Sequence, residues 1–377
     1  MSGHDPFQRV TAIVDLGAVE RNCRTLAARL GPGTELCVVV KGDGYGHGMG
    51  ECAEAALRGG ASRLAVATAT ESFELRERVG PDVPILLMGA LTGAELDVAL
   101  QARAELTVWR ADFFTAVAER AGMFGFRPRV HVKHDSGMGR LGDREPFGVV
   151  RLAEAAASDE RVELAGLWTH FATADEEDEG YLREQLDRFR EVALPLRERH
   201  PDLVLHAANS AAALRGPEFH FDMVRCGVAA YGLDPFGRDA AAQGLEPALS
   251  LHTYVADVKR FHEGEPVGYG RTWRAPRDTW IAVLPVGYGD GFRRGLSNRC
   301  EVLIGGSRHP LVGTISMDNL TVDLGPQTGV EHGEPAVLIG RQGEAVVSAE
   351  LLAERLGTIN YEITCGLSRR VPRAYRG

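Results

Sequence analysis

The feature that most constrains this chain is a rhythm. Short apolar runs recur up to about residue 235, each separated from the next by a longer stretch of helical period. The runs are Leu36–Val40, Leu64–Ala67, Ile85–Met88, Leu106–Trp109, Val130–Lys133, Leu164–Trp168, Leu203–His206 and Val224–Ala229. Runs apolar on both faces suit strands buried in a parallel sheet, because a half-exposed strand would alternate. The stretch Asp15–Leu30 shows the helical spacing: Leu16, Val19, Cys23, Leu26 and Leu30 recur at steps of three and four, behind Asp15 as N-cap. Eight strand-plus-helix units in about 230 residues predict a (β/α)8 barrel. An open doubly wound sheet is the alternative arrangement of the same units.

Beyond Tyr231-Gly-Leu-Asp-Pro the pattern changes. The runs Leu249–Val258, Trp280–Val286, Cys300–Ile304, Leu311–Ser316, Leu320–Val322 and Ala336–Ile339 are divided by Gly, Pro and charged turns. That predicts a mostly antiparallel β-domain, with one helix over Ser348–Leu356 capped by Ser348. The boundary falls in the Gly/Ala-rich stretch 236–244, giving a barrel over 1–240 and a β-domain over 241–377. Two domains also suit 377 residues at about 150 per domain.

Charge and composition exclude several classes of partner. With 42 Lys and Arg against 52 Asp and Glu, the net charge is −10, which argues against nucleic acid and anionic membranes. No run of about 18 apolar residues is present to span a bilayer. The start MSGHDPFQRV lacks a basic segment followed by an apolar one, so a cytoplasmic location is expected. The cysteines (Cys23, Cys37, Cys52, Cys226, Cys300, Cys365) are scattered, with no CxxC pair. Reduced, mostly buried thiols and no metal site are expected. The acidic run Asp175–Glu179 reads as a solvated helix start.

In a parallel barrel, functional groups gather where strands end. The first run ends Val-Val-Val-Lys41 and enters Gly-Asp-Gly-Tyr45-Gly-His-Gly. A lysine beside apolar walls has a lowered pKa and a nucleophilic amine, as Schiff-base chemistry needs. The glycine loop would admit a ligand close to the backbone. It is neither a Walker loop nor a dinucleotide fingerprint, because no Gly-Lys-Ser/Thr follows and the third required glycine is missing. Further along, Arg140 closes a glycine turn after Lys133, His170 follows Trp168-Thr, and Asn209-Ser210 follows His206-Ala-Ala. Arg225 sits inside an apolar run, where a guanidinium is costly unless it meets an anion or acceptors. Ser210, Gly227 and Val228 lie at the ends of the seventh and eighth runs, the usual phosphate corner of such barrels. A lysine plus a phosphate corner points to a phosphorylated aldehyde cofactor.

At these residues the chain resembles the alanine racemases. The resemblance is carried by Val-Val-Val-Lys41-Gly-Asp-Gly-Tyr45-Gly-His-Gly, Lys133-His-Asp-Ser-Gly-Met-Gly-Arg140, Trp168-Thr-His170-Phe, Ala208-Asn209-Ser210 and Val224-Arg225-Cys-Gly227-Val228. Gly268-Tyr269-Gly, Gly287-Tyr288-Gly-Asp, Ser316-Met317-Asp and Ile359-Asn-Tyr361-Glu continue it in the family's order, so it covers nearly the whole chain. It implies that Lys41 holds pyridoxal 5′-phosphate and acts as one acid/base, with Tyr269 as the second base, supplied by the partner in a homodimer with shared sites. It also implies that Tyr45, Asn209, Ser210, Gly227, Val228 and Tyr361 bind the cofactor, that Arg225 bonds the pyridine nitrogen, and that His170 lies beside it. Arg140 and the Met317 backbone would hold the carboxylate of alanine, and Lys133 matches a position carbamylated in many relatives. D-Alanine for peptidoglycan would be the product.

Gly42-Asp43 replaces the family's frequent Ala-Asn, and Thr314 and Ser316 stand where relatives often carry arginine and cysteine. These departures leave the chemistry in place and bear on the charge of the access corridor. A serine or broad-specificity racemase of the same fold is the first alternative. Decarboxylase relatives carry glutamate at the pyridine nitrogen, where Arg225 stands here. A non-catalytic cofactor carrier would lack the β-domain, and a cofactor-free aldolase would leave Arg225 unexplained.

Overall fold

The computed structural model describes residues 8–377; residues 1–7, on which part of the reading of the chain's start rests, lie outside the described residues. The opening strand β1 (Val10–Asp15) leads into helix α1 (Leu16–Ala27), and the Asp15 carboxylate accepts the Ala18 N–H at 2.9 Å. That bond satisfies one of the free donors of the first helical turn, as the sequence pattern predicts.

Eight parallel strands follow. They are β2 (Glu35–Val39), β3 (Arg63–Val66), β4 (Ile85–Leu87), β5 (Glu105–Val108), β6 (Arg129–Lys133), β7 (Glu163–Trp168), β8 (Val204–His206) and β9 (Met223–Cys226). Each overlaps one of the apolar runs, and each pairs with the next from β2 to β8, while β9 pairs with β2. Between β8 and β9, Asp222 N–H donates to Leu205 O at 3.0 Å and Arg225 N–H to Ala208 O at 2.9 Å. These two bonds close the seam, so the sheet is a barrel and not an open doubly wound sheet. Helices cover its outer face, and Thr68 and Thr92 begin two of them with reciprocal capping by Glu71 and Glu95.

The second region is antiparallel in the main. Its large sheet runs Ser307–Pro310, Glu301–Ile304, Pro335–Gln342, β10 (Leu249–Tyr254), β1 and Arg373–Arg376, and a second sheet joins β11 (Asp257–Phe261), Thr279–Leu284 and Leu320–Gly325. The reading of residues 1–240 as barrel alone is therefore corrected at one place. Strand β1 pairs with β10 antiparallel and with Arg373–Arg376 parallel, so the first and last strands of the described residues lie in the β-domain sheet. β10 pairs on one edge with Pro335–Gln342, and β1 pairs with the other edge, whose N–H and C=O groups would otherwise be unpaired.

Three further differences have local causes. The run Leu249–Val258 is two strands, because Val255 and Ala256 turn to bond Glu334 O and Val283 O. Leu311–Ser316 is not a strand: the Gly313 and Ile315 N–H groups donate to Asn298 Oδ1 and Ser297 Oγ instead of a neighbouring strand. A second helix, Asn360–Cys365, follows the expected one at Ala349–Leu356, whose Ser348 cap accepts from Leu351 N–H at 3.1 Å. Among the described residues no helix is long and apolar enough to cross a membrane.

Candidate active site

Lys41 stands two residues beyond β2, and the backbone after it takes an uncommon path. Gly42, Asp43, Gly44 and Tyr45 all have positive φ, between 54° and 62°, forming a left-handed turn. Side chains with a Cβ disfavour that region, which explains glycine at two of the four places. The turn is pinned by Glu71, whose carboxylate accepts the Gly42 N–H at 2.7 Å together with those of Ala67 and Thr68. Gly46, also at positive φ, packs so closely on the helix Asn360–Cys365 that a Cβ there would lie 2.1 Å from Thr364 O. The loop glycines thus serve the chain's own packing and bring Tyr361 within 6.0 Å of Tyr45, ring centre to ring centre.

The Tyr45 hydroxyl lies where a side chain on Gly227 would be: a Cβ would come 2.3 Å from it. Ser210 Oγ accepts the N–H of Gly227 at 3.0 Å and of Ala229 at 3.4 Å, and Asn209 caps the helix Ser210–Arg215 through Ala212 N–H at 3.0 Å. This is the corner expected from the ends of the seventh and eighth runs.

Arg225, 2% exposed, is held from several sides. Its Nη1 donates to His206 Nδ1 at 2.9 Å, and its Nη2 to Thr169 O and Ala207 O at 2.8 and 3.0 Å, with His170 Nδ1 at 3.3 Å. Its guanidinium also covers the Trp168 ring at 4.6 Å. The acceptors that a buried arginine requires are carbonyls and imidazoles, and burial lowers its pKa to about 10, still well above neutrality.

One cavity of about 500 Å³ joins these parts. Its lining includes Lys41, Tyr45, Lys133, Arg140, His170, Asn209, Ser210, Arg225, Gly227, Val228 and Tyr361. Four of its lining residues are cationic, and among the described residues no Asp or Glu lines it. Burial, reinforced by the Arg140 charge, lowers the Lys41 pKa. Lys133, 3.8 Å above the Trp168 ring, is brought to about 7 by burial and by Arg225 and Arg140. Burial and the same cations push His170 well below its usual value, so its ring is neutral at pH 7.

Tyr269 and Met317 are elsewhere. Tyr269 is 73% exposed and Met317 52%, on the β-domain surface. Tyr269 lines a separate hollow with Thr314 and Ser316. Met317 is fixed by the loop after Thr279–Leu284: Gly289 N–H donates to Met317 O at 2.9 Å. Within one chain, then, the residues expected from the barrel come together with Tyr361, while the two expected from the β-domain surface do not.

Comparison with known proteins agrees with this geometry. Residues 14–235 match the family description "Alanine racemase, N-terminal domain", and residues 248–375 match "Alanine racemase, C-terminal domain". The chain belongs to the alanine racemase family. An alanine racemase of Symbiobacterium thermophilum is 41% identical over 99% of this chain and 98% of its own length. The crystal structure of an alanine racemase from Streptomyces lavendulae is 37% identical, covers 99% and 98% of the two chains, and superposes with a TM-score of 0.93. A Bacillus anthracis alanine racemase crystallised with bound L-Ala-P is 38% identical, covers 99% and 96%, and gives a TM-score of 0.88.

Several polar groups beside the alanine racemase cavity escaped the reading of the sequence. Glu71, Glu105, His131 and His206 bond to the loop or to the chain of groups behind Arg225. The available signal was a polar residue inside a short apolar run, as in Arg-Val-His131-Val-Lys133.

Proposed function

We propose that this chain interconverts L- and D-alanine with pyridoxal 5′-phosphate, as a homodimer whose sites are shared, and so supplies D-alanine for peptidoglycan. The observation that carries the cofactor assignment is the cavity's charge: Lys41, Lys133, Arg140 and Arg225 without a lining carboxylate. That donor set suits a phosphate and a substrate carboxylate, whose negative charges offset cations buried together. When bound, pyridoxal phosphate supplies the electron sink that acidifies the substrate's α-C–H bond.

Lys41 would hold the cofactor, and burial and the Arg140 charge lower its pKa, which makes the amine a readier acceptor and donor of a proton than an exposed lysine. Tyr45, Ser210, Gly227, Val228 and Tyr361 bind the phosphate, with Asn209 fixing the backbone around Ser210. Arg140 and the Met317 backbone orient the carboxylate. Arg225 keeps its own proton and leaves the pyridine nitrogen without one. This limits the electron sink and favours return of a proton to the α-carbon over loss of the amino group. Exchange of the α-proton between two faces calls for a second base opposite Lys41, and Tyr269 of the other copy is that base. The exposure of Tyr269 and Met317 in one chain supports a site completed by dimerisation.

Two experiments test this. A chiral assay of the purified protein should convert either alanine enantiomer to an equal mixture, with visible absorbance that borohydride bleaches; a bound cofactor without racemisation of alanine would refute the activity. Mixing inactive Lys41→Ala with inactive Tyr269→Phe should restore activity, at most about half of wild type per heterodimer if the sites are independent. No recovery after verified subunit exchange would refute the shared site and leave the family assignment standing.

A further inference from the structure

A line of buried polar groups runs through the barrel interior from the beginning of the strands to the cavity. Glu105 is the first residue of β5, His131 the third of β6, His206 the last of β8, and Arg225 the third of β9. His131 Nε2 lies 3.0 Å from Glu105 Oε2, His131 Nδ1 lies 3.0 Å from His206 Nε2, and His206 Nδ1 lies 2.9 Å from Arg225 Nη1. Both imidazoles are fully buried.

The donors in this line can be assigned from one end to the other. A guanidinium only donates, so His206 Nδ1 accepts and its Nε2 carries the proton. That proton is donated to His131 Nδ1, which leaves His131 Nε2–H to donate to the Glu105 carboxylate. All three bonds point the same way, and neither ring needs a second proton. Glu105 is anchored in turn by Arg63 and by Arg129 Nη1 at 3.0 Å. Burial raises its carboxyl pKa, but the His131 bond and the charges of Arg63 and Arg129 lower it, and the lowering prevails. Of the five Arg225 N–H donors, protein acceptors engage one on Nη1 and both on Nη2, so among the described residues Nε–H and the second Nη1–H are left for the cavity that Arg225 lines.

We propose that Glu105 is a positioning residue for Arg225. It acts through His131 and His206, a one-way chain of hydrogen bonds that fixes both histidines as neutral Nε2–H tautomers and sets how strongly Arg225 donates into the cavity. Hydrogen bonds in series polarise one another. A carboxylate at the far end makes His131 and then His206 better acceptors, which draws Arg225 toward His206 and weakens its donation elsewhere. Weak donation is what leaves a pyridine nitrogen unprotonated, so the effect of this chain on catalysis rests on the function proposed above; the tautomers do not.

The test begins with 15N-histidine-labelled protein as purified. Long-range 15N spectra should show His131 and His206 with bare Nδ1 and protonated Nε2; an Nδ1–H tautomer or an imidazolium at either ring overturns the proposal. In Glu105→Gln the His206 resonances, two bonds along the chain, should move, and the ratio of transamination to racemisation of alanine should rise about tenfold with KM within about twofold. Glu105→Asp should return that ratio close to the wild-type value. An unmoved His206 signal, an unchanged ratio, or an effect confined to KM overturns the proposal. If Glu105→Gln does not fold, the wild-type tautomers still decide. Failure of racemisation in wild type would sink the function and not the tautomers.

Discussion

The two ends of the barrel interior carry opposite arrangements of charge. Where the strands begin, Arg63 and Arg129 meet Glu105, Arg63 also meets Glu35, and His131 donates to the same carboxylate. Where the strands finish, Lys41, Lys133, Arg140 and Arg225 line one cavity with no lining carboxylate among the described residues, and Asp135 and Glu71 only partly offset the charges of Lys133 and Lys41. A buried ion pair that is mutually satisfied asks nothing of solvent or ligand. Cations gathered without a full counter-charge raise the free energy of the empty fold, and an anion that enters lowers it. The first arrangement is structural, and the second prepares a binding site. His131 and His206 connect the two.

Substitutions at the two ends should therefore fail in different ways. Lys41→Ala should lower racemisation by at least about a thousandfold, because the proposed function makes the amine both the cofactor's tether and one of the two proton carriers. The same variant should unfold no lower than the wild-type protein when both lack cofactor, since Lys41 has no ion pair to lose among the described residues and its removal relieves a crowd of cations. A kinetic assay and a thermal melt separate the two effects, and substantial remaining racemisation would remove Lys41 from the reaction.

At the opposite end the larger loss should be in stability. Arg63 is 4% exposed and its removal leaves the Glu105 carboxylate buried with one arginine fewer. Arg63→Ala should cost about 3 kcal/mol, read as a lower urea midpoint with unchanged slope. Any folded fraction should keep its cofactor. A midpoint like that of wild type would show that Arg129 and His131 satisfy Glu105 without Arg63, and the contrast between the ends would narrow.

The barrel was legible because its strands are apolar on both faces, so a run of four or five residues marks a strand without any need to know its neighbours. Lys41 and Arg225 were legible for a related reason, since one ends such a run and the other interrupts it, and Arg140 and Ser210 lie in the segments that follow two more. The β-domain was harder to read. Its second helix, which carries Tyr361, is only six residues long, and β1 pairs across more than 230 residues of sequence, as in Val10 with Thr253. Local pattern holds no record of such pairings. Glu105, His131 and His206 stand at strand positions that look like isolated polar residues, and only the closed barrel turns them toward one another. Tyr269 was marked by its glycine-flanked turn, yet the place opposite Lys41 that we propose for it requires a second copy of the chain.

The smallest effect, and the sharpest probe of the cationic end, is the pH dependence contributed by Lys133. Burial first, then the charges of Arg225 and Arg140, bring its pKa from 10.5 to about 7, with Asp135 opposing them. In the unfolded chain the amine returns to its ordinary value. Between the two, the unfolded chain binds a proton that the folded one does not, so stability rises with pH across that window. Below about 7 both states are protonated and the penalty is constant; above 10.5 both are neutral and it vanishes. Lys41 is shifted in the same direction by burial and Arg140, and adds to the slope with the same sign. Protein stripped of cofactor, unfolded in urea at a fixed concentration, should therefore gain stability between pH 7 and pH 9, by at most about 1.4 kcal/mol per pH unit for each group. In Lys133→Met the gain should shrink and not disappear, because Lys41 remains. Equal slopes in the two proteins would mean that Lys133 is not a free amine among these cations. A carbamylated side chain, which carries a negative charge already, predicts that outcome, and mass spectrometry of the intact chain under non-acidic conditions would distinguish it.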